Sequence, residues 1–204
     1  MNFHQPLISN RYYHIYNRGN NGDNLFYNEE NYFFFLRRFD TFLSEYLDTF
    51  AYCLLPNHFH LLVRIKDFEN EKITLRKGKQ TLVNANEIVS EQFRRLFTSY
   101  AKAINNQEPR TGSLFQKNFK RKEVNNQHYF SKLIWYIHAN PQSHQICNDF
   151  RDYRYSSYER ILSDKPSKLF KHEVLDWFGD KDIYKKFHSE MQSMKEINEL
   201  IIED

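Results

Sequence analysis

The stretch of sequence that decides the fold reads Leu55-Pro56-Asn57-His58-Phe59-His60-Leu61-Leu62-Val63-Arg64-Ile65. Its first residues favour a turn, and the β-competent residues that follow predict a strand up to Ile65. Side chains two positions apart on a strand share a face. We therefore expect His58 and His60 on one face of this strand, and the alternating apolar residues from Phe59 onward on the other face, in the core.

The sequence on either side of this strand predicts a ferredoxin-like sheet. Residues 48–54 predict a second strand, which Pro56 and Asn57 join to the first as a hairpin. Further strands are predicted at 12–18 and 114–124, and helices from Asn28 or Asn31 to Tyr46, from Ala85 to about 107, and from Asn125 or Asn126 to Asn140, where Pro141 ends the helix. The order β-α-β-β-α-β-α predicts an α+β fold, a ferredoxin-like antiparallel sheet with helices packed on one face.

Two segments lie outside this pattern. Residues 67–86 are polar and rich in lysine, and they predict an excursion with a short hairpin around 77–79. From residue 152 onward, short amphipathic helices are predicted at 156–162, 172–178 and 183–202. We therefore expect one domain over residues 1–162 and a helical C-terminal extension over residues 163–204.

Composition excludes several classes of protein. The chain has 204 residues, of which 40% are apolar and 27% charged, as in a globular domain. No run of about 18 apolar residues occurs, so no membrane helix and no membrane partner is expected. The only two cysteines, Cys53 and Cys147, are isolated, which is typical of a reducing compartment and predicts a cytoplasmic location. The five glycines are not clustered as in a phosphate-binding loop.

Two pairs of residues are candidates for a metal site. Imidazoles side by side on a strand, as predicted for His58 and His60, can hold a divalent cation, although such a pair taken alone is more often a partly exposed polar face. On the third predicted helix, Tyr136 and Asn140 are four residues apart and therefore lie on the same flank. The Asn140 amide oxygen is a plausible ligand for Mg²⁺ or Mn²⁺. The alternative is that Tyr136 fills the margin of the core and that Asn140 caps the helix before proline.

Basic residues are concentrated in one part of the chain. Between residues 94 and 122, eight basic residues stand against the single acid Glu108, whereas the whole chain has a net charge of only +3. Lysine and arginine neutralise phosphates, and interleaved aromatic rings stack on bases. A lysine-rich edge strand that prevents aggregation is the alternative. The expected nucleic-acid contacts are Arg18, Arg94, Arg95, Arg110, Lys117, Lys120, Arg121 and Lys122.

These residues together resemble a known family. Residues 51–63 are similar to the His-hydrophobic-His region of IS200-like transposases, and the resemblance is to the branch associated with repetitive extragenic palindromes (REP). Three further blocks agree in order, at 13–19, 110–116 and 136–141, and residues 152–158 resemble the segment after the catalytic helix. The resemblance extends over about residues 11–162.

The resemblance implies a single-tyrosine nuclease that acts on single-stranded DNA, often on hairpins. It places Tyr136 at the position of the nucleophile, His58 and His60 at the positions of the metal ligands, and Asn140 at that of a further ligand. The implied cofactor is Mg²⁺ or Mn²⁺. The implied products are a 5′-phosphotyrosine link and a free 3′-hydroxyl, and reversal with another 3′-hydroxyl gives strand transfer. A metal on the scissile phosphate would compensate for the weak nucleophilicity of a phenol.

The chain also departs from the family. After Asn140 and Pro141 the family continues with Val-Arg-Ala-Gly-like residues, whereas this chain reads Gln142-Ser143-His144-Gln145. Two other functions stay open at this point: a domesticated, non-catalytic DNA- or RNA-binding protein, and a metal-dependent hydrolase of small phosphoesters. A monomer and a homodimer are both compatible with the sequence, because periodicity does not decide whether the tyrosine helix packs on its own sheet or on that of a second chain.

Overall fold

The structure is a computed structural model that describes residues 5–67, 72–74, 80–82 and 84–190, with the backbone alone at 72–74, 80–82 and 127. Its main sheet has four strands, β1 (Tyr12–Arg18), β2 (Leu47–Leu55), β3 (His58–Ile65) and β6 (Lys120–Val124). They are arranged in the order β2-β3-β1-β6, and every neighbouring pair is antiparallel. The predicted ferredoxin-like α+β sheet is confirmed.

A separate hairpin lies between β3 and β6 in the sequence. It consists of β4 (Lys72–Thr74) and β5 (Gln80–Leu82), which pair antiparallel with each other. The turn predicted around 77–79 lies outside the described residues.

The three longest helices begin at asparagine caps. The helices are α1 (Glu29–Leu43), α2 (Ala85–Gln107), α3 (Gln127–Ser143), α4 (Tyr158–Leu162), α5 (Lys171–Phe178) and α6 (Lys181–Glu190). Asn28, Asn84 and Asn126 each accept a hydrogen bond from the backbone N–H three residues further on, which satisfies a donor that the first turn leaves unpaired. The end of the third predicted tail helix, from 191 to 202, lies outside the described residues.

Helices cover both faces of the sheet, so the expectation of helices on one face is wrong. Phe59, Leu61, Val63 and Ile65 of β3 pack in one core cluster with α1 and α2. The His-bearing face of β3 packs instead toward α3, whose core residues cluster with those of β2 and of the C-terminal helices. Strand β3 is therefore buried on both sides. The sequence does not indicate this, because the two histidines make one face of the strand look polar. Among the described residues, no helix is long and apolar enough to cross a membrane.

Two predicted boundaries are also wrong, for identifiable reasons. The fourth strand begins at Lys120 instead of residue 114, because Asn118 has a left-handed backbone (φ 65°) that interrupts an extended chain. Helix α3 continues through Pro141 to Ser143. Pro141 lacks one N–H donor, but the next turn still closes, since the His144 N–H donates to the Asn140 carbonyl at 2.9 Å.

The segment after residue 162 packs on the domain from two sides. The backbone N–H of Phe170 donates to the carbonyl of Thr49 at 2.9 Å, which covers part of the outer edge of β2. The rings of Trp177 and Phe130 lie 4.4 Å apart between α5 and α3. The C-terminal helices thereby hold α3 against the sheet.

Candidate functional site

The central strands bring four rings together on the α3 face of the sheet. Antiparallel pairing places Tyr16 opposite His60, and His14 lies two residues before Tyr16 on the same face. The Nε2 atom of His14 and the Nδ1 atom of His60 are 3.0 Å apart. The His58 and His60 rings are 5.2 Å apart and nearly perpendicular, with an interplanar angle of 89°. Sequence reasoning missed His14, whose signal was its place on the predicted strand 12–18.

Helix α3 brings Tyr136 and Asn140 to this face. The Tyr136 ring meets the rings of His60 and His14 edge-on, at centroid distances of 5.5 and 6.1 Å. Tyr136 is only 2% exposed, and Asn140 is fully buried. The Asn140 Nδ2 donates to the Tyr136 carbonyl at 3.2 Å, which fixes the orientation of the amide. Residues almost eighty positions apart in the chain therefore meet within one chain.

Burial keeps the imidazoles neutral. The pKa of His58 falls to about 4, chiefly because burial desolvates the ring and secondarily because His144 is near. A hydrogen bond to Asn140, which only the protonated ring could donate, opposes the shift. Desolvation likewise lowers the pKa of His60 well below its usual value and that of His14 to about 3. Neutral imidazole is the form that ligates a cation.

The tautomer of His58 is fixed by its neighbour. Its Nδ1 is 2.6 Å from the Oδ1 of Asn57, and an amide oxygen can only accept. His58 therefore donates from Nδ1 and keeps a lone pair on Nε2, as metal-ligating histidines do when a second residue holds their other nitrogen. The short contact between His14 and His60 can orient His60 in the same way.

The donor set fits a divalent cation. His58 Nε2 and Asn140 Oδ1 are both buried and have no hydrogen-bond partner among the described residues. Such buried polar atoms are costly unless something binds them. Among the described residues, no cluster of three or more His, Cys, Asp or Glu side chains could hold a metal. A cation here would therefore be held by imidazole nitrogens and an amide oxygen, a mixed set without a carboxylate.

A small cavity opens beside the histidines. It measures about 130 Å³, room for about four water molecules at roughly 30 Å³ each, and its lining includes His58 and His60. Arg18, Lys120 and His144 contribute to the same lining. The His144 ring lies 4.8 Å from that of His58, and burial together with the Arg18 charge lowers the pKa of His144. The cavity therefore combines cationic groups with the imidazole pair.

The structure divides the expected nucleic-acid contacts between the two faces of the sheet. Lys120 and Lys122 alternate on the site face of β6, paired with Tyr16 and His14 of β1. Lys120 Nζ lies 5.9 Å from the Tyr16 ring, on the same face as His58 and His60. With Arg18, these two lysines are the expected contacts that the structure brings to the site.

The other expected contacts lie elsewhere. Arg94 and Arg121 line a separate depression of about 480 Å³ on the α2 side. Arg94 and Arg95 both bond to Glu91, at 2.5 and 3.1 Å. Lys117 is exposed in the loop before β6.

Arg110 is held by contacts within the fold. Its guanidinium bonds to the Asp23 carboxylate at 2.6 Å and to the Asn105 side chain at 3.0 Å. These contacts join the loop after α2 to the loop after β1. Arg110 is therefore held by the fold and is not brought to the site.

Comparison with known proteins agrees with this architecture. No protein-family model matches the chain. A curated protein of Haemophilus influenzae, named a REP-associated tyrosine transposase, is 25% identical over 137 residues, which are 67% of this chain and 69% of that protein. A solved structure of a REP-associated tyrosine transposase bound to a REP hairpin has a TM-score of 0.60 at 15% identity and covers 81% of this chain and 88% of its own. The sequence relative and the shared fold together confirm that this chain resembles the REP-associated tyrosine transposases.

Proposed function

We propose that the protein is a transposase-like endonuclease and strand transferase for single-stranded or hairpin DNA, with Tyr136 as its nucleophile. The observation that carries the proposal is the edge-on contact of the Tyr136 ring with His60, beside the buried donor atoms of His58 and Asn140. The resemblance to proteins named as REP-associated tyrosine transposases supports the same reaction.

Within this proposal, His58, His60 and Asn140 hold Mg²⁺ or Mn²⁺. When bound, such a cation polarises the scissile phosphate and offsets the charge that develops on it. His14 and Asn57 orient the two imidazoles through their second nitrogens, at 3.0 and 2.6 Å. Preorganised neutral ligands need no rearrangement when the substrate arrives.

The Tyr136 oxygen attacks the phosphorus, and the bond from phosphorus to the 3′ oxygen breaks. This gives a 5′-phosphotyrosine link and a free 3′-hydroxyl, and attack by another 3′-hydroxyl reverses the step and restores the phenol. Arg18 and Lys120, which line the cavity, neutralise the phosphates on either side. The phosphodiester energy is kept in the tyrosine link, so neither water nor ATP is consumed.

Burial of the nucleophile favours a flexible substrate. Tyr136 is 2% exposed, and the adjacent cavity has a volume of only about 130 Å³. A duplex is too wide and too stiff to bring a phosphate to this point, whereas a single strand can turn one phosphate inward. A hairpin with a single-stranded flank offers both a stem to grip and a strand to cut.

The test is a covalent adduct assay with a labelled hairpin oligonucleotide and Mn²⁺ or Mg²⁺. Tyr136→Phe should abolish the adduct on a denaturing gel and leave DNA affinity within about twofold, because only the nucleophilic oxygen is lost. Tyr129→Phe is the matched control, since Tyr129 is also a buried tyrosine of α3. We expect Tyr129→Phe to form the adduct.

An adduct that survives Tyr136→Phe would refute the assignment. DNA binding without any adduct in the wild-type protein would support the alternative of a non-catalytic DNA- or RNA-binding protein. Turnover of small phosphoesters without salt-sensitive nucleic-acid binding would support the hydrolase alternative.

A further inference from the structure

A groove on the other face of the sheet takes no part in the proposed reaction. It has a volume of about 830 Å³ and lies between α1, the edge strand β2 and residues 167–173. Its floor includes Phe35, Leu36 and Phe39 of α1 and Leu61 of β3, which belong to the α1–α2 face. Small-molecule sites are typically apolar concavities of roughly 300 to 1,000 Å³, so the size and the floor of the groove suit a small ligand.

The lining of the groove has an excess of positive charge. It includes two carboxylates and four cationic side chains, which are Asp40, Glu173, Lys66, Arg160, Lys168 and Lys171. Both carboxylates are already neutralised by ion pairs. Asp40 binds Lys168 at 2.6 Å, and Glu173 binds Arg64 at 3.0 Å.

Among the described residues, two of the cations form no ion pair. In the part of the chain that the structure describes, Arg160 has neither an ion-pair nor a hydrogen-bond partner. Lys171 is only 7% exposed, and its Nζ donates to the carbonyls of Ser163 and Lys165, at 2.6 and 2.8 Å. The neighbouring Asp164 carboxylate forms its ion pair with Lys181, and Lys171 adds only a longer-range attraction that helps to lower the pKa of Asp164. Lysine is rarely so buried without an ion pair, and the exposed Arg160 adds a second positive charge to the same lining. These two cations favour an anionic group in the groove.

The backbone around the groove disfavours an extended peptide as the occupant. A peptide that adds a strand needs the free edge of β2. That edge is already covered by the chain, because the Leu54 N–H donates to the Tyr155 carbonyl and the Phe170 N–H donates to the Thr49 carbonyl. Two unpaired cations beside an apolar floor suit one anionic head on an apolar body better than a row of phosphates.

We propose that this groove binds a small amphipathic anion with a single charged head group. Its apolar body would lie on Phe35, Leu36 and Phe39, and its carboxylate or phosphate head would face Arg160 and Lys171. The proposal does not depend on the nuclease activity, because the groove and Tyr136 lie on opposite faces of the sheet.

Decanoate, kept below its micelle concentration, is a suitable probe for calorimetric titration of the full chain. We expect saturable binding of one decanoate per chain, and at least fivefold weaker binding of decanol. Arg160→Gln should weaken decanoate binding about tenfold, and Leu36→Trp should abolish it by filling the floor. Arg37→Gln, an exposed arginine of α1 outside the groove, is the control and should bind decanoate like the wild type. A monoalkyl phosphate of the same length distinguishes a phosphate head from a carboxylate head by its relative affinity.

Three results would overturn the proposal. The first is the absence of saturable decanoate binding to the wild-type protein. Binding of an acidic amphipathic peptide in place of decanoate would count as the same result, because it would show a different occupant. The second is equally tight binding of decyltrimethylammonium, which would show that the anionic head is not recognised. The third is unchanged binding to Arg160→Gln. The comparison of head groups uses only the wild-type chain, so it remains decisive even if Leu36→Trp fails to fold.

Discussion

His58 illustrates how one side chain is prepared for a cation by its neighbours. Asn57 fixes its tautomer, burial keeps it neutral, and its Nε2 points to no hydrogen-bond partner among the described residues. The last of these conditions is costly on its own, since a buried unpartnered nitrogen gives up about 1 to 3 kcal/mol. The three conditions together are expected where a ligand repays the cost.

We predict that His58→Ala and His60→Ala each remove Mn²⁺ binding, measured by calorimetry, and with it DNA cleavage. Removal of a residue that only orients a metal ligand typically lowers metal affinity tenfold to a hundredfold. Removal of one of the two imidazoles themselves should lower the affinity at least as much. His128→Ala, an exposed histidine of α3, is the control and should keep wild-type affinity. Undiminished Mn²⁺ affinity or cleavage in either histidine variant would contradict the ligand role.

For single residues, the sequence predicted the face on which a side chain lies better than it predicted the residues that the side chain contacts. The shared face of His58 and His60 follows from the two-residue repeat of a strand. The approach of His14 does not follow from it, because it depends on the register between β1 and β3, which the sequence pattern leaves open. Arg110 looked like a DNA contact within a basic run, but Asp23, eighty-seven positions away, holds it.

Helix α3 has functional residues on opposite sides. Tyr136 and Asn140 face the sheet histidines, while His138 begins a buried hydrogen-bond chain on the other side. The His188 Nδ1 donates to the Tyr184 carbonyl, so its Nε2 accepts from His138 Nδ1 at 3.1 Å. His138 Nε2 then accepts from Ser157 Oγ at 2.8 Å, and Ser157 Oγ accepts from the Tyr52 N–H. This chain of bonds ties α3 to α6 and β2 only while His188 is neutral, because a protonated Nε2 cannot accept from His138.

The same chain predicts a loss of stability in acid. Burial lowers the pKa of His188 to about 4, below the unfolded value of 6.5, so between these values the unfolded chain binds more protons. The contribution of His188 is therefore complete above pH 6.5 and is lost as the pH falls toward 4, by about 2 kcal/mol between pH 7 and pH 5. Urea unfolding at pH 7 and pH 5 measures the difference in the free energy of unfolding, and this difference should be smaller in His188→Gln than in the wild type.

His172→Gln, which changes an exposed histidine, is the control for this measurement and should keep the wild-type difference. An unchanged difference between pH 7 and pH 5 in His188→Gln would show that His188 titrates normally in the folded protein.

Helices and strands were predictable where one local signal dominates. The asparagine caps at Asn28 and Asn126 begin α1 and α3 as the sequence indicates. The errors occur where tertiary contacts overrule the local signal. Pro141 is expected to end α3, but it is buried and the helix runs on for two residues. Leu114 and Phe115 look like the start of a strand, but they are buried in the core without joining the β6 ladder.

Over the whole molecule, the positive charge that faces the site is much smaller than the basic run in the sequence. Of the expected contacts, Arg18, Lys120 and Lys122 lie on the site face or line its cavity, whereas Arg94, Arg95 and Arg110 have carboxylate partners. The ferredoxin-like sheet was predictable, because the alternation of helices and strands and the central hairpin leave few arrangements. The division of the charges between the two faces was not, because it depends on ion pairs between distant segments.

The two groups of cations should therefore respond differently to substitution. We predict that Lys120→Gln weakens hairpin-DNA binding several-fold and lowers the slope of log affinity against log salt by about 0.7 to 0.9, the value for one lost phosphate contact. Arg110→Gln should leave both quantities unchanged and instead lower the free energy of unfolding by about 1 kcal/mol, because it breaks a partly exposed ion pair. Fluorescence anisotropy and urea unfolding measure the two effects. Equal losses of DNA affinity in both variants would contradict this division.

The distance along the chain between His58 and Tyr136 has a consequence for a protein that would cut DNA in its own cell. Neither the hairpin that carries the histidines nor the helix that carries the tyrosine holds both parts of the site. The two parts meet only once β6 has paired with β1 and α3 has packed on the sheet, and both contacts join segments far apart in the sequence. If the protein cuts DNA as proposed, a nascent or partly unfolded chain has no assembled site and should not cut, so that folding itself controls the activity.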